Sequence, residues 1–242
     1  MRRLRFFFVL AAAVAGLGSN RTFAQTHSAS ESSPPPAGSS AVSHAGTSSG
    51  EQTVDGIAAR IEDDIITESE VRELSAFQEL VDGKQKRRDE IIKELADQWI
   101  VRGEAALAAF PSPSSADLDR AYQQFEKQFP SEKEFQEHCA ALGLTEAAVR
   151  RILAQQLFLS RFIDYRFRPA AQVDEAEIEK YYHNELVTQL EAKKQPVPPL
   201  DEVEDTIREV LIQRAISERA AKWLDDTREQ LKIDIVAKGG QS

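Results

Sequence analysis

Val54-Asp55-Gly56-Ile57-Ala58-Ala59-Arg60-Ile61-Glu62-Asp63-Asp64-Ile65-Ile66-Thr67-Glu68-Ser69-Glu70-Val71 changes its periodicity twice within eighteen residues. Val54, Ile57, Ala59 and Ile61 read as a short β run, Glu62-Asp63-Asp64 as its turn, and Ile65-Ile66 as the return. Thr67-Glu68-Ser69-Glu70 is a capping box. The threonine hydroxyl and the glutamate carboxylate can satisfy free N–H groups at a helix start. The chain therefore enters a helical region through a small piece of sheet.

Downstream the pattern is helical almost to the end. Val71, Leu74, Phe77 or Gln78, and Val81 mark one side of a first helix stopping near Gly83. A second, over about 85–110, places Ile91, Leu95, Trp99, Ala106 and Phe110 on one face and ends at Pro111-Ser112-Pro113. Ser115 opens a third helix with Leu118, Tyr122, Phe125 and Phe129. A fourth carries Phe135, Cys139 and Leu142, and Gly143 suits a left-handed cap. Thr145 starts a fifth helix reaching about Phe167. A short helix begins at Val173-Asp174-Glu175-Ala176-Glu177, and Pro196, Pro198 and Pro199 break helix formation beyond it. The last helix, about 201–231, is expected to be about 45 Å long at 1.5 Å per residue. Ile233, Ile235 and Val236 then form a closing strand. The expected fold class is mostly α, with a long C-terminal helix and a small sheet pairing the first strand, 54–61, with the last, 233–236.

The fifth and last helices are two-faced. Val149, Ile152, Leu153, Leu159, Ile163 and Phe167 share one face of the fifth; Phe158, Phe162 and Tyr165 cluster opposite. In the last helix Ile212, Ile216 and Trp223 lie opposite Val203, Ile207, Val210, Leu211, Ala221 and Leu224. Mutual packing in one core accounts for such second stripes, and so does a surface that contacts other chains. On the second account, Phe158, Phe162, Tyr165, Ile212, Ile216 and Trp223 are the candidate binding residues.

The two ends belong to another class of sequence. Arg2, Arg3 and Arg5 precede the apolar run Phe6–Gly18, and Thr22-Phe23-Ala24 offers small residues for cleavage, so residues 1–24 read as a secretory signal cut after Ala24. Residues 25–52 are Ser, Pro, Gly and Ala-rich, too poor in apolar side chains to form a core, and read as a disordered tether; 238–242 read as a flexible tail. Residues 53–237 form the expected helical domain of an exported, periplasmic protein, with no stable membrane insertion after cleavage. Setting aside the four arginines of the first 24 residues leaves 26 basic against 40 acidic side chains, a net charge of −14. Nucleic acid is therefore not an expected partner. With Cys139 the only cysteine, no intrachain disulfide can form.

Chemistry-bearing motifs are sparse. His138 and Cys139 are sequence neighbours and point about 100° apart on a helix, while His27, His44 and His183 have no companion ligand nearby, so no metal site is expected. No Ser, Cys or Thr stands in an elbow motif, only six glycines follow residue 53, and neither a catalytic residue nor a cofactor is expected.

Taken in order, several segments resemble SurA-type periplasmic chaperones and their peptidyl-prolyl isomerase relatives. Residues 54–71 are similar to the family's N-terminal strand, turn and helix start. Phe135–Leu144, Thr145, Val149-Arg150-Arg151-Ile152-Leu153 and Leu157–Ile163 resemble its paired short helices and long central helix. Val173–Tyr182 looks like the segment leading into the parvulin isomerase domain; Pro199-Leu200-Asp201-Glu202-Val203, Ile207-Arg208, Trp223-Leu224 and Lys232-Ile233-Asp234-Ile235 look like the C-terminal helix and closing strand. Only residues 183–199 stand where family isomerases hold roughly a hundred, too few for that domain. The resemblance thus implies the chaperone module alone, an ATP-independent holder of unfolded exported polypeptides, including those bound for the outer membrane. Two other readings stand beside it: an active prolyl isomerase by family, and an envelope adaptor with one fixed partner.

Overall fold

Glu62 has a positive φ of 48°, and there the chain turns β1 (Ile57–Ile61) back into β2 (Asp64–Thr67). The computed structural model describes residues 55–237, which belong to one compact unit. The signal, the 25–52 tether and the 238–242 tail lie outside the described residues. β3 (Ile233–Ile235) adds antiparallel to the other side of β1, giving the order β2-β1-β3. Its register pairs Ala59 with Ile235, Arg60 with Asp234 and Ile61 with Ile233. The expected union of the first and last strands is present, and Val236 N–H extends it to the Ala58 carbonyl at 2.9 Å.

The capping box forms as read: Thr67 Oγ1 accepts from Glu70 N–H at 3.2 Å, and a Glu70 carboxylate oxygen accepts from Thr67 N–H at 2.8 Å. α1 (Glu68–Asp82) comes next and ends at Gly83, whose φ of 64° favours glycine. It is succeeded by α2 (Arg88–Leu107), α3 (Ser115–Glu126), α4 (Glu132–Ala141) and α5 (Glu146–Phe167); Ser114, Ser131 and Thr145 cap the last three. One 3-10 turn leads to α6 (Glu175–Tyr181), started by an Asp174/Glu177 capping box. The helix continues as a π segment, Tyr182–Val187, and then α7 (Thr188–Ala192). α8 (Leu200–Arg228) is the long C-terminal helix.

Three apolar clusters hold these elements. Ala59, Ile61, Ile66, Val71, Leu74, Ile91 and Ile92 join the sheet to α1 and α2. Phe77, Phe125, Phe135, Leu144, Val149 and Leu153 join α1 to α3, α4 and α5. Ile100, Val101, Leu159, Phe162, Ile163, Ile216 and Leu224 join α2, α5 and α8. α2 departs from expectation. It spans 88–107 rather than about 85–110, and its buried residues are Ile91, Ile92, Ala96, Ile100, Val101 and Ala105, with Ala106 exposed. A helix with the sheet and α1 on one side and α5 and α8 on another buries a wider, rotated arc than one stripe.

The same geometry explains why α5 is two-faced. Its first half meets α1, α3 and α4, and its second half lies between α2 and α8. Polar contacts run along the same seams. Arg168, in the turn just after α5, donates to Glu209 of α8 at 3.1 and 2.7 Å, and Arg228 of α8 donates to Asp97 of α2 at 2.5 Å.

Candidate functional site

The six residues expected on one binding face separate in the structure. Phe162 is 1% and Ile216 3% exposed, so both are interior, a correction to their candidacy as accessible surface. Both belong to the apolar cluster that joins α2, α5 and α8, so the second stripes of α5 and α8 enter one core. Phe158, Ile212 and Trp223 are half-buried against the same cluster. Trp223 is further covered by Phe167, with centroids 5.7 Å apart, and by the Arg166 guanidinium, 4.7 Å above its ring. Tyr165 alone is open, at 62% exposure.

Tyr165 belongs to an apolar end of the molecule. Phe110, after the last turn of α2, packs within 5.3 Å of Tyr165, 5.4 Å of Phe162 and 5.8 Å of Phe158, measured between ring centroids. Leu107, in that last turn, is 85% exposed. Periodicity could not single out Leu107, because seven residues from Ile100 it takes nearly the same angle as a core position. Its exposure comes from the helix end, where no neighbouring element among the described residues covers it.

A second apolar surface lies where α6, the π segment and α7 fold beside α8. Tyr181, Leu186 and Leu190 form one wall and Val203, Ile207 and Val210 the other, around a groove of about 550 Å³. Pro196 and Pro198 close one side. Val203, Ile207 and Val210 recur at i, i+4 and i+7, so the first half of α8 turns its apolar stripe into the groove. Two polar contacts flank the groove, one within the segment 182–199 and one from that segment to α8. Tyr182 Oη donates to the Pro198 carbonyl at 2.7 Å, and Arg214 donates twice to Glu185, both at 2.9 Å. The Arg214 guanidinium also lies 5.2 Å from the Tyr181 ring centroid. That guanidinium holds the Glu185 carboxyl below the usual carboxylate range. In the sequence this segment shows only interrupting prolines, and nothing in its spacing signals a groove.

Among the described residues no group of three or more His, Cys, Asp or Glu side chains is placed to hold a metal ion. No described helix is long and apolar enough to cross a membrane. Cys139 is buried, and burial pushes its thiol pKa up, away from nucleophilic chemistry. The arrangement offers apolar contact area with a few polar groups at its margins.

No protein-family model matches the chain, and no curated protein matches it. The resemblance to SurA-type chaperones rests on the residues quoted for it.

Proposed function

We propose that this chain is an ATP-independent holding chaperone, exported to the periplasm, that binds unfolded exported polypeptides. The observation that carries the reading is the exposure of Leu107, in the last turn of α2, and of Tyr165, on α5, the latter packed on half-buried Phe110 from the end of α2. Exposed apolar surface of this kind marks contact with other chains. A holding surface must accept many sequences, and open aliphatic and aromatic side chains do so without demanding one shape. The high net charge keeps such a protein soluble while its apolar surface stays open.

The test is aggregation of several unrelated unfolded proteins, monitored by light scattering with the full chain present at stoichiometric amounts and without nucleotide. Suppression across the set is the expected result. Suppression of none, together with stoichiometric capture of one folded partner, would replace the holding chaperone with an envelope adaptor.

A further inference from the structure

β3 is held differently from the strand it pairs with. In β1, Ala58, Ala59 and Ile61 are 0% exposed, whereas no residue of β3 is buried. The change begins earlier in the chain. Leu224 is buried, and from Asp225 to Ala237 no residue is, among the described ones. Leu231 and Ile233 pack on two of the apolar clusters while staying partly exposed, and Ile235 is open. No further strand continues the sheet beyond β3 among the described residues, so β3 is an edge strand. A segment with little buried apolar area and exposed backbone hydrogen bonds lies at the low end of local stability.

What fastens this segment is largely polar. Arg228, in the last turn of α8, has a side chain 17% exposed and donates from Nε to Asp97 of α2, 23% exposed, at 2.5 Å. Its Nη2 turns back to Asp225, whose carboxylate also lies 3.6 Å from Lys93 Nζ of α2. Four residues on, Glu62 N–H donates to the Lys232 carbonyl at 3.1 Å, and Lys232 N–H donates to the Glu62 carboxylate at 2.7 Å. An exposed ion pair such as Lys93–Asp225 contributes little. Removing one partner of a mostly buried pair costs far more, because the remaining charge is left poorly solvated. The fastening of 225–236 to α2 therefore turns on Arg228.

We infer that residues 225–236 form a strap that releases the sheet as a unit while the rest of the fold stays closed, with Arg228 as its latch. The hinge lies just past Leu224, where α8 stops being buried. Opening leaves β1 paired with β2 alone and frees the Glu62 N–H and the Ala58 carbonyl, which now bond to Lys232 and Val236. The strap thus covers an edge that, uncovered, offers main-chain hydrogen bonds to an extended chain.

Amide hydrogen exchange of the full chain, resolved by residue, tests this by following the two sides of β1 separately. Glu62 and Val236 N–H groups cross the β1–β3 seam. Because backbone groups alternate along a strand, those of Ala59 and Ile61 point toward β2, where their partners are Ile66 and Asp64. In the unaltered chain Glu62 and Val236 should share one protection factor, about tenfold or more below those of Ala59 and Ile61. Arg228→Gln should lower the first pair about tenfold further and leave the second within about twofold. Asp97→Asn, which removes the charge from the other partner, should act in the same way. Equal protection on the two sides of β1 in the unaltered chain overturns the inference, since the sheet then opens as one piece. Unchanged protection of Glu62 and Val236 in either folded variant overturns it too, and so does an equal loss at Ala59 and Ile61. If Arg228→Gln does not fold, Asp97→Asn decides by itself; if neither folds, the pair supports the whole protein and the strap is not a separate unit. No client is present, so the result is independent of aggregation suppression and of the proposed function.

Discussion

Tyr182 donates its phenolic hydroxyl to the Pro198 carbonyl oxygen at 2.7 Å and so closes a sixteen-residue excursion onto itself. Here it becomes the π segment, α7 and a proline-rich return, and it forms one wall of an apolar groove.

Tyr182→Phe should therefore loosen the return without unfolding the protein. A single neutral hydrogen bond contributes about 1 kcal/mol. Amide hydrogen exchange should quicken within 183–199 and stay unchanged in the sheet. Uniform quickening across the chain would mean that this bond supports the whole fold.

The apolar positions of α5 and the end of α2 should divide by burial. Phe162→Ala, at an interior site, should cost about 3–5 kcal/mol in a urea titration. Leu107→Ala, at an exposed one, should stay within about 0.5 kcal/mol. On the proposed function, Leu107→Ala combined with Tyr165→Ala should reduce aggregation suppression at nearly unchanged stability; full suppression by that double variant would remove the exposed end from the binding surface.

The caps should behave as separate local contributions. Thr67→Ala removes the hydroxyl of a capping box and should cost about 1 kcal/mol. Ser114→Ala should cost a similar amount at α3, and the double variant should be additive because the two caps share no partner. Chemical denaturation of the three variants checks both statements.

Acid should weaken two ion pairs of α8, Arg214–Glu185 and Arg168–Glu209. Arg214 depresses the Glu185 carboxyl, and Arg168 depresses that of Glu209. A carboxyl with a folded pKa below its unfolded value of about 4.3 contributes stability above that pH and loses it as the pH falls through the folded value. Asp97 acts in the opposite sense, because burial raises its pKa against the pull of Arg228; its contribution is present below about 3.9 and is lost as the pH rises through the folded value. Thermal midpoints of the unaltered chain should drop more steeply below about pH 4.3 than those of Glu185→Gln. Parallel curves would show that the exposed Arg214–Glu185 pair contributes nothing.

Prolyl isomerisation should proceed at its uncatalysed rate, tens to hundreds of seconds, when the protein is added to a test peptide in catalytic amounts. On the resemblance, residues 183–199 stand where an isomerase domain would be expected, and seventeen residues are too few to form one. Measured acceleration would bring the isomerase reading to the front.

Much of the architecture was legible because its signals are local. Thr67 with Glu70, Gly83, Gly143, Thr145 and the prolines around 111 and 196–199 act through backbone groups a few residues away, and the elements begin and end close to them. The meeting of the first and last strands was also readable, from two short β runs bracketing a helical chain. The helix past Tyr182 was not, because a π segment has no composition of its own. The six candidate binding residues show the same limit: the periodicity of α5 and α8 identified second apolar stripes but carried nothing about which elements would face them.

Local sequence was enough to set where the chain turns, caps and breaks, and to show that α5 and α8 carry more apolar surface than one stripe. It took the packed fold to separate Phe162 and Ile216, inside the protein, from Tyr165 and Leu107, which stand open, and to turn Val203 and Val210 into a groove. The physical reason is that capping and turn preferences are set by neighbours in the chain, whereas burial is set by which elements meet in space. Two residues of equal hydrophobicity at equivalent helical angles therefore differ when one lies under a neighbouring helix and the other lies past its end.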